Sequence, residues 1–423
     1  MAYQISTLPN GVRIASCEMP HMRSVSVGIW VAIGGRHEPG ELCGISHFLE
    51  HLLFKGTERR TPRQLTEAVE GVGGFINAFT TEDHTCFYAK AGAQHLAVLA
   101  DVLTDMFRHS VFAEQEIERE RDVIREEILM YRDQPSQYAQ ELLTEVMWPD
   151  HPLGRPLTGS IESIARINRP ELCQYVSDYY TGKNTFVTVA GRCRHATVVE
   201  QFGKGFNGLL KGGSPGFAVW NGQKRPKRLI AAEEDTEQTH LALGYHAMSR
   251  TDERRHALKI LSVILGENMS SRLFQQLRER YAYCYSIHSG TLVLEDSGMV
   301  NICVGLEPGK FPNALRAIAR ELSKVKDRAP TKAELRRAQE YTIGQNDLSL
   351  ESTTNQIMWM GESLVAYDRI IDPEQVQQKI KAVTPEAVQE VANVCFVPER
   401  LGVAVVGPLS MEKVNGWLER AEL

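Results

Sequence analysis

The stretch Gly44-Ile45-Ser46-His47-Phe48-Leu49-Glu50-His51-Leu52-Leu53-Phe54-Lys55-Gly56 carries more information than any other part of the 423-residue chain. It reads as a short helix with Gly56 as its stop. At about 100° per residue, His51 falls about 40° around the axis from His47 and Glu50 about 60° to the other side, so all three share one face. Two imidazoles four residues apart can give two nitrogens to a tetrahedral zinc ion, and a carboxylate beside them can take a proton from zinc-bound water. A surface helix with two histidines flanking a glutamate has the same pattern, so the deciding ligand has to come from elsewhere.

A second helix, around Glu114 to Tyr131, offers it. Ile117, Ile124, Ile128 and Tyr131 form an apolar stripe. Measured from Ile117, Glu120 lies at about 300° and Glu127 at about 280°, against about 320° for Tyr131 and about 20° for Ile128. Two carboxylates therefore run along the buried face, where an unpaired charge is costly and needs a metal, a cation or a hydrogen-bond network. Glu126, at about 180°, faces solvent. Glu127 is thus the better third ligand, and Glu120, one row away, is placed to orient a histidine or the site water. Surface acids in an acid-rich helix remain the plainer reading of the same pair.

The rest of the composition bounds the problem. A chain of this length predicts about two to three domains. Apolar content of 43% and charged content of 24% are those of an ordinary globular protein. The net charge of −6 gives no clustered basic footprint, so neither nucleic acid nor an anionic membrane is an expected partner. Eight cysteines (Cys17, Cys43, Cys86, Cys173, Cys193, Cys284, Cys303, Cys395) without a Cys-x-x-Cys pair predict a reducing compartment, the cytoplasm. The opening Met1-Ala2-Tyr3-Gln4-Ile5-Ser6 has no export signal. The apolar run Val25 to Gly35 is far too short to span a membrane and reads as a buried strand.

The chain also repeats itself once, with a period of about 215 residues. Strands are expected at Ile5 to Leu8 and Val12 to Cys17, flanking Pro9-Asn10-Gly11, and at Leu229 to Glu233 in the second half. Val25 to Trp30 and Thr239 to Tyr245 follow. Later, Thr85 to Ala91 and Gly298 to Gly305 lead into long helices near 92–108 and 310–326. Arg169-Pro170-Glu171 and Thr384-Pro385-Glu386 open short helices before strands at Phe186 to Ala190 and Gly402 to Val406. The glycine-dense stretch between the halves, including Gly212-Gly213-Ser214-Pro215-Gly216, reads as a linker and lacks the Gly-Lys-Ser/Thr ending of a phosphate loop.

The expected fold is α+β, with two homologous domains, each a mostly antiparallel sheet with helices on one face, forming a clam-shell around a central cleft. The expected boundaries are 1–210 for a catalytic zinc-binding domain, 211–226 for the linker and 227–423 for a metal-free domain closing the cleft. The second half carries no His-x-x-Glu-His near Ile260 to Gly266, and Glu120 and Glu127 correspond to Ala338 and Gln345. One zinc ion per chain follows. No further ligand spacing links the remaining histidines, and His84 is read as a neighbour of a substrate strand.

His47-x-x-Glu50-His51, with Glu127 lying 76 positions beyond His51, resembles the pitrilysin family of inverted zinc peptidases, in its mitochondrial-processing-peptidase-like branch. The resemblance spans nearly the whole chain. It implies that His47, His51 and Glu127 hold zinc, that Glu50 is the general base and that Glu120 assists. Gly73-Gly74-Phe75-Ile76-Asn77-Ala78-Phe79-Thr80 is similar to the family's edge strand, where Asn77 and Ala78 would meet the backbone of a peptide added by β-augmentation. Arg278 and Tyr285, seven apart in Arg278-Glu279-Arg280-Tyr281-Ala282-Tyr283-Cys284-Tyr285, resemble the pair that binds substrate from the other domain, although Ala282 stands where the family usually has glycine. The implied activity is a zinc endopeptidase for short or unfolded peptides, working as a homodimer or as a heterodimer with a related subunit. The alternative is a non-catalytic peptide-binding or partner subunit of the same fold.

Overall fold

A computed structural model describes residues 3–213, 215–222, 224–421 and 423; Met1 and Ala2 of the opening segment, and Ser214 and Gln223 of the expected linker, lie outside the described residues. The first sheet is built from β1 (Tyr3–Thr7), β2 (Arg13–Glu18), β3 (Ser24–Val31), β4 (Phe75–Thr80), β5 (Thr85–Gly92) and β6 (Thr185–Gly191), in the order β1-β2-β6-β3-β5-β4. The second is built from β7 (Ile230–Glu233), β8 (Thr239–His246), β9 (Cys284–Val293), β10 (Gly298–Leu306) and β11 (Leu401–Gly407), in the order β7-β11-β8-β10-β9. Substituting β7, β11, β8, β10 and β9 for β2, β6, β3, β5 and β4 turns one order into the other, which is the predicted duplication expressed as topology. In both sheets one pair is parallel (β2 with β6, β7 with β11) and the rest are antiparallel. The strand β1 is the extra piece of the first half. It returns to β2 through Asn10-Gly11, with Gly11 at φ 97°, where glycine carries no steric cost.

The helices of the first half are α1 (Ile45–Leu52), α2 (Pro62–Glu70), α3 (Leu96–His109), α4 (Glu114–Arg132), α5 (Pro135–Met147), α6 (Ile161–Ile164), α7 (Arg169–Tyr179) and α8 (His195–Gly205). Those of the second are α9 (Arg255–Gly266), α10 (Phe311–Asp327), α11 (Lys332–Leu350), α12 (Thr353–Tyr367), α13 (Pro373–Lys381), α14 (Pro385–Cys395) and α15 (Met411–Ala421). The Asn168 and Thr384 side chains cap α7 and α14, each with proline in the first turn. Among the described residues no helix is long and apolar enough to cross a membrane.

Each sheet buries one face under several helices, as expected, and the other face is covered too. Val27, Ile29, Val187 and Val189 of the first sheet pack with Phe48, Leu99, Ile124 and Phe202 from α1, α3, α4 and α8. On the opposite face, Ala15, Trp30, Cys86 and Phe186 pack with Ile357, Met360 and Leu364 of α12. The second sheet repeats the arrangement, with Ala242, Met299 and Val406 against Leu142, Leu143 and Met147 of α5. The apolar run at β3 is buried on both faces, so its residues do not alternate with polar ones.

The chain therefore divides into two compact units that do not follow it in consecutive blocks. The first comprises residues up to Ile128, Arg155–Ala218 and Asp347–Ile371; the second comprises Leu129–Gly154, Val219–Asn346 and Asp372–Leu423. The 1–210 and 227–423 blocks contain the two sheets, but α5 and α12 each belong to the unit of the other half. Helical periodicity shows that a helix has an apolar face without showing which sheet that face covers. The linker residues that are described form neither helix nor strand, yet Phe217 is anchored, with the Arg36 guanidinium 3.7 Å from its ring centre.

The close seating of α12 sets a test. A Cβ on Gly361 would lie 2.0 Å from the Trp30 ring, whereas one on Gly344 in α11 meets nothing within 4 Å. Gly361→Ala is expected to destabilise the protein by about 1–3 kcal/mol. Gly344→Ala should be neutral or stabilise by up to about 1 kcal/mol. Denaturant unfolding of the two variants checks the contrast.

Candidate metal centre

The helix α1 is amphipathic in the way its sequence requires. Ile45, Phe48, Leu49 and Leu52 are buried in the core, and His47, Glu50 and His51 lie on the face turned away from it. Beside it, α4 buries Ile117, Ile124, Ile128 and, with them, Glu120, which is 4% exposed. Glu126 is exposed and Glu127 half-buried, as the angular positions predicted.

The two helices bring three donor atoms together. His47 Nε2 lies 3.6 Å and His51 Nε2 3.5 Å from Glu127 Oε2. Within the described residues, this trio is the one group of histidine, cysteine or carboxylate side chains able to hold a metal, its donor atoms all within 4.8 Å of one another. The separations are long for hydrogen bonds. They suit a shared ion, since ligands about 2.0–2.2 Å from a tetrahedral zinc stand about 3.4 Å from each other. Two imidazoles and one carboxylate are also a donor set that zinc takes in catalytic sites.

Electrostatics prepare the two histidines differently. Burial, with the neighbouring His51 adding to it and Glu127 opposing, pushes His47 down to about 4, so its imidazole is neutral near pH 7. His51 is also buried, which pulls it down, but the carboxylates of Glu120 and Glu127 outweigh that and raise it to about 9. His51 Nδ1 lies 3.1 Å from Glu120 Oε2, and Lys55 Nζ lies 2.7 Å from the other Glu120 oxygen. Burial raises Glu120, yet these two bonds hold its carboxyl below the usual range. An ionised Glu120 accepts a hydrogen bond from His51 Nδ1–H, which turns Nε2 of the same ring towards Glu127.

Glu50 sits one residue before His51, and its Oε2 accepts a 2.6 Å hydrogen bond from Thr80 Oγ1. Burial pushes its carboxyl up from the ordinary value, with the Thr80 bond and the His51 charge opposing. A carboxylate raised in this way is a better proton acceptor near neutral pH. Thr80 ends β4, which is an edge of the first sheet. Asn77 on that strand is exposed, and its Oδ1 accepts from the Ala78 amide at 2.8 Å, so this amide is turned away from β5. His84, in the turn between β4 and β5, packs on Phe79 of β4 and on Trp30 of β3.

In the second unit, Arg278 lies in a π-helical turn, Phe274–Arg280, a local geometry frequent at functional sites. The Arg278 guanidinium carbon stands 5.1 Å from the Tyr285 ring centre, and Tyr285 is 80% exposed. Ala282 between them has φ 50°, a left-handed conformation that favours glycine, so the sequence departure from the family pattern falls on a strained position.

Thr80 and Lys55 are the residues that sequence reasoning left without a role. Lys55 carried a signal, since it follows His51 by four residues and so shares its face. Thr80 stood in the quoted edge-strand segment, but its distance to Glu50 depends on how β4 meets α1.

Residues 13–160 match the family model described as insulinase, peptidase family M16, and residues 166–341 the one described as peptidase M16 inactive domain. Over 405 residues the chain is 36% identical to an uncharacterized zinc protease of Bacillus subtilis, covering 95% of this chain and 97% of that one. The chain belongs to peptidase family M16. An uncharacterized zinc protease of Mycobacterium leprae is 35% identical, over 96% of this chain and 92% of its own. The same fold is seen in the crystal structure of a protease from Helicobacter pylori, at TM-score 0.89 and 23% identity over 96% of this chain and 99% of that one. A structure described as a peptidase M16 inactive domain from Pseudomonas fluorescens gives 0.87 at 17% identity, over 97% and 99%. The residues that stand at the positions of Glu120 and Glu127 in the second half, Ala338 and Gln345, both lie on α11.

The unequal histidines make metal uptake a proton-releasing event. At about pH 7.5 the metal-free His51 still holds its proton, because its value is near 9, and His47 has already lost its own. Zinc binding is expected to release about one proton, and affinity should fall about tenfold for each unit of pH below 9. Calorimetric titration in buffers of different ionisation enthalpy measures the release, and a value near zero would contradict this assignment.

Proposed function

We propose that this M16 chain is a zinc endopeptidase acting on short or unfolded peptides. The observation that carries the reading is the convergence of His47, His51 and Glu127 at ion-sharing distances, with the Glu50 carboxylate beside them on α1 and tied to β4 through Thr80. Zinc held by these residues supplies a polarised scissile carbonyl and a water of lowered pKa.

The chain's own groups do the rest. Glu50 accepts the water's proton at its carboxylate and passes it to the nitrogen of the leaving amine, so no covalent intermediate forms. Thr80 keeps the Glu50 carboxylate turned to one position. Glu120 fixes the His51 ring, and Lys55 balances the charge of Glu120. The open edge of β4 is suited to an extended peptide, whose backbone would replace Asn77 as the partner of the Ala78 amide. Arg278 and Tyr285 offer a guanidinium and a phenol for substrate carbonyls, the role that family likeness assigns them.

Cleavage of a quenched-fluorescent peptide panel tests the reading. Wild type is expected to cleave and to stop when a chelator is added. Glu50→Gln should keep its zinc and lose about 10²–10⁴ in kcat. Zinc-loaded wild type that cleaves no peptide of a broad panel would overturn the peptidase assignment in favour of a peptide-binding subunit.

A further inference from the structure

The short metal helix begins without a capping side chain of its own. Its N-cap is Gly44 at φ 92°, and a Cβ there would come within 2.6 Å of the Thr158 carbonyl oxygen, so a serine or aspartate cannot take the position. The acceptor comes instead from six residues upstream. The Glu38 carboxylate, 4% exposed, accepts from the Gly44 amide at 2.7 Å with one oxygen and from the Ser46 amide at 2.8 Å with the other. These amides belong to the group at a helix start that has no partner within the helix, and the helix dipole favours a negative charge there.

Glu38 is itself held in place. Arg155 Nη1 donates to its backbone oxygen at 3.1 Å. Two residues before it, the buried Arg36 guanidinium bonds Asp83 Oδ1 at 3.2 Å and lies over the Phe217 ring. The Ser46 hydroxyl bonds the Tyr175 hydroxyl at 2.9 Å, which ties the same end of α1 to α7. The helix has only eight residues, and His47 directly follows Ser46. A tilt or rotation at this end therefore moves the first metal ligand at once.

We propose that Glu38 is a positioning residue for the metal centre: by bonding the Gly44 and Ser46 amides, it fixes the pose of α1 and so the placing of His47 and His51. The inference rests on the zinc reading above. Glu38 touches neither ligand and acts through the backbone that bears them.

Glu38→Gln keeps the shape but turns an amide donor towards one of the two N–H groups, so one bond is lost. The expected result is zinc affinity weaker by roughly tenfold or more, measured by chelator competition. The visible absorption of the cobalt-loaded protein should change in shape, and kcat should fall with KM near the wild-type value. Asp105→Asn is the control, removing another buried carboxylate of the same unit, one that bonds Thr57 at 2.8 Å and Arg60 at 2.6 Å; it should lower Tm but leave zinc affinity and the cobalt spectrum unchanged.

Wild-type affinity and spectrum in Glu38→Gln, or equal weakening in Asp105→Asn, would overturn the proposal while leaving the peptidase reading intact. If wild type binds no zinc, both fall. Should Glu38→Gln fail to fold, hydrogen exchange on metal-free wild type decides. Gly44 and Ser46 amides that stay protected support a cap that sets the helix before metal arrives, and amides that exchange freely without zinc overturn it.

Discussion

The structure is organised around one electrostatic demand: the partly buried carboxylates of Glu50 and Glu127 and the buried one of Glu120 are gathered beside two imidazoles. Glu120 meets the demand with Lys55 and with the Nδ1 side of His51. Glu127 has the Nε2 atoms of both histidines at distances longer than good hydrogen bonds, the arrangement expected of groups that share a cation. A site assembled this way has to be held rigidly, because small displacements of α1 against α4 change every separation in it.

The fold meets that need through its layers. Both α1 and α4 bury their apolar faces in the same core as β3 and β6, and β4 lies close enough for Thr80 to hold Glu50. The second sheet repeats the topology, but where the first half has the candidate metal residues the second has Ala338 and Gln345 on α11 and an apolar α9. Duplication has thus kept the strand order and not the side chains of the candidate metal centre. The exchange of α5 and α12 gives each sheet a cover for its second face from the other half of the sequence.

Much of this was legible in the sequence because it follows from local periodicity. Helical spacing placed His47, Glu50 and His51 on one face and separated Glu127 from Glu126, and apart from the extra β1 the strand order of the two halves matches. The destination of α5 and α12 was not legible, since an apolar stripe does not name its partner. The Glu38 cap was hidden for a related reason: a cap normally stands at the helix start, and here the steric crowding of Gly44 by Thr158 moves it upstream. Ala282 showed as an odd residue in a known pattern, and its φ of 50° gives the physical content of that oddity.

X-ray absorption at the zinc edge of the purified protein tests the central claim most directly. Two imidazole nitrogens and a carboxylate oxygen, completed by a further light ligand, are predicted at about 2.0–2.2 Å. Scattering from sulfur at about 2.3 Å, or one imidazole in place of two, would contradict the assignment of His47, His51 and Glu127 as the metal ligands.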